Sequence, residues 1–281
     1  MKEVVVITGG AGGMGLATAK LIGKEAFHVV LSDVNQDRLD AAVQELAQLG
    51  IASTAVCSDI ADRVSVEALV DTARQLGHVR GVVHTAGVSP QMGDAAFIVR
   101  INVLGTVNIA QAFLPCVDEG FSLVNVASSA GHMLPGFMIP TGVYKLAFRD
   151  PDALLRKLTA RAQRGPKKLR SGVAYSLSKN FVMWYTRQLA ATYGAKGGRV
   201  VSVSPGSFDT SMGQLEKKSG SDKLLDYAAL KRFGKPEEVA ELLAFLGSGK
   251  AAYISGTDIL IDGGTKAGFG LKGFVAMARG R

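Results

Sequence analysis

Short apolar runs alternate along the chain with segments in which apolar residues recur every three or four positions. The first pattern is typical of buried strands and the second of amphipathic helices. In the segment 36–49, for example, the apolar positions are Leu39, Ala42, Val43 and Leu46. The pattern predicts strands at 4–7, 27–33, 54–57, 81–85, 122–127, 199–203 and 258–261, and helices at about 14–24, 36–49, 64–76, 95–115, 173–193 and 236–246.

The repeated strand–helix–strand order predicts an α/β protein with one parallel sheet of about seven strands and helices on both faces. No internal repeat or second domain is visible, so residues 1–264 are expected to form a single domain. Two segments interrupt the alternation, an insertion at 133–172 and a loop at 205–232. The tail 265–281 is expected either to pack over a neighbouring subunit or to be disordered.

The composition is that of a globular protein with a large core: 47% of the 281 residues are apolar and 20% are charged. No apolar run approaches the length of a membrane span, and the N-terminus leads straight into a strand, so a cytoplasmic protein is predicted. The two cysteines, Cys57 and Cys116, offer no disulfide framework. The four histidines are not spaced as metal ligands, so no metal site is predicted.

The net charge of +8 is concentrated in one segment. Residues 133–172 contain nine basic and two acidic residues, while the rest of the chain is almost balanced. The protein is therefore not uniformly basic, and no nucleic-acid recognition motif accompanies the charge.

A glycine-rich turn follows the first predicted strand and has its glycines at positions 9, 10, 12, 13 and 15. The spacing of Gly9, Gly13 and Gly15 is Gly-x-x-x-Gly-x-Gly. Such a turn between a strand and a helix lets backbone N–H groups approach a pyrophosphate, and the helix N-terminus adds partial positive charge. This context predicts a dinucleotide-binding site.

An acidic residue, Asp33, closes the second predicted strand. An acid at this point accepts hydrogen bonds from ribose hydroxyls and repels a 2′-phosphate. No Arg or Lys lies in the glycine turn or directly after Asp33, and Arg38, one turn into the next helix, is expected to be solvated. NAD(H) is therefore predicted over NADP(H); a role of Asp33 as a helix cap is the alternative.

Tyr175 and Lys179 are four residues apart in a predicted helix, so their side chains share one face. A free phenol titrates near about 10 and is a poor base at neutral pH. A neighbouring ammonium favours the phenolate, so the pair can serve as a proton donor and acceptor. An ordinary surface pair has the same spacing, and the pattern alone leaves both interpretations open.

These segments together resemble the short-chain dehydrogenase/reductase family in its ordinary-length form, over about residues 3–264 apart from the insertion. The glycine turn matches Thr-Gly-x-x-x-Gly-x-Gly, and Tyr175 and Lys179 match Tyr-x-x-x-Lys. The resemblance implies a Rossmann-type doubly wound sheet. The other matching positions are Asp59-Ile60, His84-Thr85-Ala86-Gly87 in place of the family's Asn-Asn-Ala-Gly, Asn102, the serine segment 124–131, Pro205-Gly206 with Thr210, and 261–264.

The resemblance implies hydride transfer with coupled proton transfer by Tyr175, whose pKa Lys179 would lower. Ser129, the second serine of its pair, would polarise the substrate oxygen, with Ser128 as the alternative. Asn102 would hold a water linked to Lys179, or would be a buried amide satisfied by helix backbone. The implied cofactor-binding residues are Gly9, Gly13, Met14, Gly15, Asp33, Asp59, Ile60, Ala86, Gly87, Tyr175, Lys179, Pro205, Gly206 and Thr210.

The insertion separates Ser129 from Tyr175 by 46 positions, more than is usual in the family, as in some hydroxysteroid dehydrogenase or carbonyl reductase members. It starts with an apolar run at 132–140, and Asp150 followed by Pro151 predicts a helix start. Three interpretations remain: a structural flap with a solvated basic face, a lid over an apolar substrate pocket, or a docking surface for an anionic partner.

The sequence thus predicts an NAD-dependent dehydrogenase or ketone reductase that acts on a secondary alcohol or ketone. The apolar run beside Ser129 favours a bulky, apolar, hydroxysteroid-like substrate. The alternatives are a 3-oxoacyl-thioester reductase and a non-catalytic nucleotide-sensing protein on the same fold. A homodimer or homotetramer is expected, because family members commonly use the Tyr175 helix in subunit contacts; no nucleic acid or membrane partner is expected.

Overall fold

The structure is a computed structural model that describes residues 2–25, 27–217 and 221–270. Seven strands within these residues form one parallel sheet in the order β3-β2-β1-β4-β5-β6-β7. The predicted α/β fold with a doubly wound parallel sheet is confirmed. The strands are β1 (Glu3–Thr8), β2 (His28–Asp33), β3 (Ser53–Cys57), β4 (His78–His84), β5 (Ser122–Val126), β6 (Arg199–Pro205) and β7 (Asp258–Ile261).

Helices connect the strands and cover the sheet. A π-helical turn at Arg100–Leu104 joins α4 to α5, so that the predicted helix 95–115 is continuous but locally widened. The helices are α1 (Gly13–Gly23), α2 (Gln36–Gln48), α3 (Arg63–Leu76), α4 (Ala95–Val99), α5 (Gly105–Phe113), α6 (Ser129–His132), α7 (Thr141–Tyr144), α8 (Pro151–Ala162), α9 (Arg170–Gly194), α10 (Ser211–Lys217) and α11 (Pro236–Gly247).

The sheet separates two apolar cores. Side chains alternate between the faces of a strand, so Val4 and Val6 of β1 enter one core while Val5 and Ile7 enter the other. The first core is completed by α3, α5, α8 and α9, and the second by α1, α2 and α11. Because both faces are buried, the strands read as continuous apolar runs.

Several predicted boundaries differ from the structure by a few residues, and one difference concerns a whole segment. β4 begins at His78 rather than at 81, because the backbone of His78 and Val79 already pairs with the start of β1. The predicted loop 205–232 contains α10 and a 3₁₀ turn at Ser221–Asp226. Both elements are short, and their few apolar residues leave little periodicity to detect.

The insertion is part of the first core. The predicted start of α8 is confirmed, because the carboxylate of Asp150 accepts a hydrogen bond from the backbone N–H of Ala153 at 2.8 Å. Tyr144 is fully buried, and its hydroxyl donates to the carbonyl oxygen of Leu177 in α9 at 3.1 Å. None of the ion pairs in the described part of the chain includes a basic residue of 133–172. The insertion therefore buries its apolar face against α9 and presents unpaired cations.

One continuous helical stretch, Ala95–Cys116, is long and apolar enough by composition to cross a membrane, with a mean hydropathy of 1.5. No apolar segment of this length was predicted from the sequence. Two-thirds of an 18-residue window within this stretch is buried inside the protein, where α4 and α5 pack in the first core. Most of the predicted tail 265–281 lies outside the described residues.

Candidate active site

A cavity of about 670 Å³ opens at the carboxyl ends of the strands. It lies where the strand order reverses between β1 and β4, which is the usual ligand position in an open α/β sheet. All of the residues predicted to bind a cofactor line this cavity, namely Gly9, Gly13, Met14, Gly15, Asp33, Asp59, Ile60, Ala86, Gly87, Tyr175, Lys179, Pro205, Gly206 and Thr210.

The glycine turn forms a cradle that side chains would fill. Gly9 has a φ of 65°, a left-handed conformation that favours glycine. A Cβ atom on Gly15 would come within 2.3 Å of the carbonyl oxygen of Gly9. The turn leads into the N-terminus of α1, whose unpaired N–H groups and positive dipole end suit a pyrophosphate. The residues present therefore fit a dinucleotide.

Asp33 and Arg38 lie together at one end of the cavity. Asn35, not Asp33, caps α2, because its side chain accepts a hydrogen bond from the N–H of Arg38 at 2.9 Å. Asp33 is therefore not the helix cap, and its Oδ1 accepts a hydrogen bond from the N–H of Asn35 at 3.3 Å. The side chain of Arg38 is exposed but not simply solvated, as one guanidinium nitrogen lies 3.5 Å from the carbonyl oxygen of Ala11 in the glycine turn. The exposure of Arg38 agrees with its predicted solvation, but spacing along the chain did not reveal how close the turn would come.

His84 and Thr85, which replace the two asparagines of the family motif, hold the glycine turn to β4. The Thr85 hydroxyl donates to the carbonyl oxygen of Thr8 at 2.7 Å. The ring of His84 contacts the hydroxyl of Thr8 at 2.7 Å and that of Thr106 at 3.3 Å. Complete burial, with a smaller effect of Lys179, lowers the pKa of His84 to about 3. His84 is therefore a neutral structural residue at physiological pH.

Tyr175, Lys179 and Ser128 meet in the cavity. Tyr175 and Lys179 come from one face of α9, as predicted, and the ammonium of Lys179 lies 5.9 Å from the centre of the Tyr175 ring. The ammonium also donates a hydrogen bond to the carbonyl oxygen of Val126, at the end of β5, at 3.0 Å. The Ser128 hydroxyl also lines the cavity and is close enough to the phenol of Tyr175 to affect its pKa. A phenol, an ammonium and a hydroxyl are thus placed together for proton transfer.

The pKa shifts of this group are governed by burial. Burial raises the pKa of Tyr175 well above its ordinary value, the Glu216 carboxylate raises it further, and the nearby Ser128 hydroxyl lowers it. Burial also lowers the pKa of Lys179 to about 8, against an opposing effect of Glu216. The net shift of Tyr175 is thus opposite to the lowering expected from Lys179, because the loss of hydration is the largest cause.

The structure places Ser128, and not Ser129, beside Tyr175. Ser128 is the N-cap of α6, and its hydroxyl accepts a hydrogen bond from the N–H of Ala130 at 3.2 Å. Ser129 lies inside the first turn of α6, is only 7% exposed and does not line the cavity. Consecutive residues at a strand-to-helix turn point in different directions. The preference for serine at an N-cap was the available signal for Ser128.

Asn102 is a buried amide whose partners are far away in the chain. Its Oδ1 accepts from the N–H of Val88 at 2.9 Å, and its Nδ2 donates to the carbonyl of Val88 and to the hydroxyl of Ser178. The side chain therefore joins the segment after β4 to α9. These contacts agree better with the predicted buried amide than with a water-holding side chain. The partners, however, are the backbone of Val88 and the hydroxyl of Ser178, and not the helix backbone that was expected.

The cavity wall beside Tyr175 comes from residues that the motifs did not include. None of the insertion residues 133–172 lines this cavity, so the structure does not support the interpretation of the insertion as a lid. The helix α10 takes that place. The additional lining residues at this end include Val88, Met92, Phe97, Met212, Leu215 and Glu216. The sequence offered an indication only for Met212, Leu215 and Glu216, because they follow closely on the Pro205-Gly206 motif.

The described part of the chain contains no group of three or more His, Cys, Asp and Glu side chains arranged to hold a metal. Cys57 and Cys116 are both free thiols.

Comparison with known proteins agrees with this geometry. The family model for short chain dehydrogenases matches residues 3–144, and the model described as enoyl-(acyl carrier protein) reductase matches residues 157–266. A short-chain dehydrogenase/reductase from Alternaria brassicicola is 31% identical over 277 residues, which cover 95% of this chain and 97% of that protein. The 2-(S)-hydroxypropyl-CoM dehydrogenase 3 of Xanthobacter autotrophicus is also 31% identical, over 282 residues, with 94% and 97% covered.

A solved structure shows the same fold. The short chain dehydrogenase from Burkholderia cenocepacia, in complex with NADP, is 26% identical and superposes with a TM-score of 0.74 over 93% of this chain and 96% of that chain. The two halves of the chain thus match family models, and its whole length matches relatives of similar size. The chain belongs to the short-chain dehydrogenase/reductase family, whose members are oxidoreductases that bind a nicotinamide cofactor and act on alcohol or carbonyl groups.

Proposed function

We propose that the protein transfers a hydride between NAD(H) and a secondary alcohol or ketone, with Tyr175 as the proton donor and acceptor. This proposal is supported by one observation: Tyr175, Lys179 and Ser128 line the same cavity as the glycine turn. A nucleotide sensor has no need of a buried phenol and ammonium beside its cofactor site.

Each residue of this group has a separate role in the proposed reaction. When bound, the nicotinamide cofactor supplies or accepts the hydride. In reduction the Tyr175 phenol donates its proton to the nascent alkoxide, and in oxidation the phenolate removes the proton of the alcohol. The Ser128 hydroxyl hydrogen-bonds to the substrate oxygen, which orients and polarises it. Lys179, held by Val126, places a positive charge beside the phenol and binds the nicotinamide ribose.

The preference for NAD(H) is proposed to rest on Asp33. Its carboxylate accepts hydrogen bonds from the ribose hydroxyls and repels a 2′-phosphate. Arg38, on the other side of the same pocket end, supplies the cation that a 2′-phosphate would need. The two side chains therefore act in opposite directions, and the carboxylate at the end of β2 is proposed to dominate.

The substrate is proposed to have an apolar body. The apolar run 132–140 that led to this expectation lies outside the cavity, but the wall beside Tyr175 is formed by Met92, Phe97, Met212 and Leu215. A hydroxysteroid-like alcohol or ketone would place its rings against these side chains.

Enzyme assays with purified protein test the proposal. We expect NAD-linked oxidation or reduction of at least one class in a panel of hydroxysteroids, aliphatic secondary alcohols and 3-oxoacyl thioesters, and none with the Tyr175→Phe variant. Turnover of only the thioesters would reassign the substrate class. Equal turnover by the wild type and the variant would remove the proposed mechanism.

The protein is further proposed to be a cytoplasmic homodimer or homotetramer. The sheet ends at β7, where Leu260 is 36% exposed, and Tyr253 is fully exposed nearby in the chain. An edge strand with exposed apolar side chains is suited to contact with a second copy. Light scattering after size-exclusion chromatography would give the mass, and a monomer would contradict the assembly.

A further inference from the structure

Glu216 is a carboxylate in the cavity that no motif accounts for. It belongs to α10, is half-buried, and lines the cavity together with Tyr175 and Lys179. It is close enough to both side chains to affect them electrostatically. Among the residues that the structure describes, its carboxylate has no hydrogen-bond donor and no cation within 4.0 Å.

The other charged residues of the cavity, Lys179 apart, belong to the cofactor end. Asp33 and Arg38 lie beside the glycine turn, and Arg100 lies 3.6 Å from Asp59 in an ion pair. The lining residues named at the Tyr175 end are apolar apart from Ser128, Lys179 and Glu216. Glu216 is therefore the acid that a substrate meets there.

In the ranges that the structure describes, the half-buried carboxylate of Glu216 has no cation beside it to stabilise its negative charge. Burial disfavours its charged form and raises the pKa of Glu216, while Lys179 acts in the opposite direction. Among the described residues Lys179 forms no ion pair with it, and the ammonium donates to the carbonyl of Val126. A half-buried carboxylate without a partner is costly, and a ligand cation seated against it would remove that cost.

We propose that Glu216 determines substrate specificity by binding a protonated amine on the substrate. This inference rests on the proposed function and narrows it: the substrate is an alcohol or ketone with an apolar body and an ammonium group. The same carboxylate disfavours substrates with a carboxylate, sulfonate or phosphate near the reacting carbon. Met92, Phe97 and Leu215 contact the apolar body, while Glu216 and Ser128 bind its two polar ends.

Binding of three matched probes to the NADH complex tests the proposal. Hexylammonium, hexanol and hexanoate have the same chain length and differ in charge, and their affinities can be measured by calorimetry. We expect the wild type to bind hexylammonium at least about tenfold more tightly than hexanoate, because the carboxylate attracts one and repels the other. Glu216→Gln keeps the shape of the side chain and should reduce this ratio to about threefold or less.

Glu241→Gln is the matched control, because Glu241 is exposed on α11 and does not line the cavity. This variant should behave as the wild type. Equal affinity for hexylammonium and hexanoate, no binding of hexylammonium, or an unchanged ratio in Glu216→Gln would each overturn the inference.

Two further measurements separate this inference from others. The affinity for NADH should be the same in Glu216→Gln and the wild type; a loss would assign Glu216 to the cofactor and overturn substrate recognition. The probes are not turned over, so their binding does not depend on catalysis. Absence of dehydrogenase activity with every alcohol and ketone would remove the proposed function, while the charge preference of the cavity would still be measurable.

Discussion

The ammonium of Lys179 lies 5.9 Å from the centre of the Tyr175 ring and is held by a 3.0 Å hydrogen bond to the carbonyl oxygen of Val126. The lysine is thus fixed by the end of β5 and acts on the ring as a nearby positive charge. The phenol hydroxyl is left to Ser128 and to a substrate oxygen. The contact with Val126 therefore positions the positive charge of Lys179, while the Tyr175 hydroxyl is available for proton transfer.

Replacing Tyr175 by Phe removes the proton donor while keeping the ring that packs beside Lys179. We expect kcat to fall by about 100-fold or more, the usual contribution of general acid–base catalysis. The dissociation constant for NADH, measured by fluorescence, should change little. A variant with near wild-type kcat would contradict the role of Tyr175.

Ser128→Ala and Ser129→Ala form a matched pair one residue apart. Because Ser128 lines the cavity close to Tyr175 and Ser129 lies outside it, only Ser128→Ala should lower kcat strongly, by about 100-fold. Ser129→Ala should retain most of the activity. It is the control for any loss of activity that comes only from disturbing the structure of α6. A larger loss of kcat in Ser129→Ala than in Ser128→Ala would instead assign Ser129 as the catalytic serine.

The reaction should respond to pH in opposite ways in its two directions. Because the pKa of Tyr175 is raised, the phenol is protonated at neutral pH and is ready to donate in ketone reduction. Oxidation needs the phenolate, so its kcat should rise as the pH increases, while the kcat of reduction falls. Since the charge of Glu216 raises the pKa of Tyr175, Glu216→Gln should move the oxidation profile to lower pH, and Glu241→Gln should not. A profile unmoved in Glu216→Gln would show that the two groups are not coupled.

Asp33→Ser should relax the choice of cofactor. Without the carboxylate, the guanidinium of Arg38 can bind the 2′-phosphate of NADPH, so the ratio of kcat/KM for NADPH to that for NADH should rise at least about tenfold. The double variant Asp33→Ser/Arg38→Ala should lose this gain. If the wild type already prefers NADPH, the assignment of Asp33 as the determinant is wrong.

His84 should make the fold sensitive to acid. Its pKa is about 3 in the folded protein and about 6.5 when unfolded, so the unfolded state binds more protons between these values. The stability contributed by neutral His84 is complete above pH 6.5 and declines as the pH falls towards 3, by up to about 5 kcal/mol. His84→Asn should show a smaller loss of unfolding free energy between pH 6.5 and pH 5 in urea titrations. Parallel pH dependences would exclude His84 as a source of acid sensitivity.

Local sequence patterns predicted much of this structure. The alternation of strand and helix patterns predicted the parallel sheet because each element must bury a face of characteristic period. The glycine turn was predictable because its close backbone contacts, such as that between Gly15 and Gly9, lie within one short segment. Tyr175 and Lys179 were predictable for the same reason, as neighbours on one helix face.

The amino-acid sequence by itself determined the elements, the glycine turn and the Tyr175–Lys179 pair, because these depend on neighbours within a few residues. Only the tertiary structure decided that Ser128 faces Tyr175, that Arg38 reaches the glycine turn and that Glu216 lies in the cavity wall. It also decided that the insertion packs against α9 and leaves the cavity to α10. These relationships join residues that are far apart in the chain or depend on the direction of a single turn, and close packing in three dimensions establishes them.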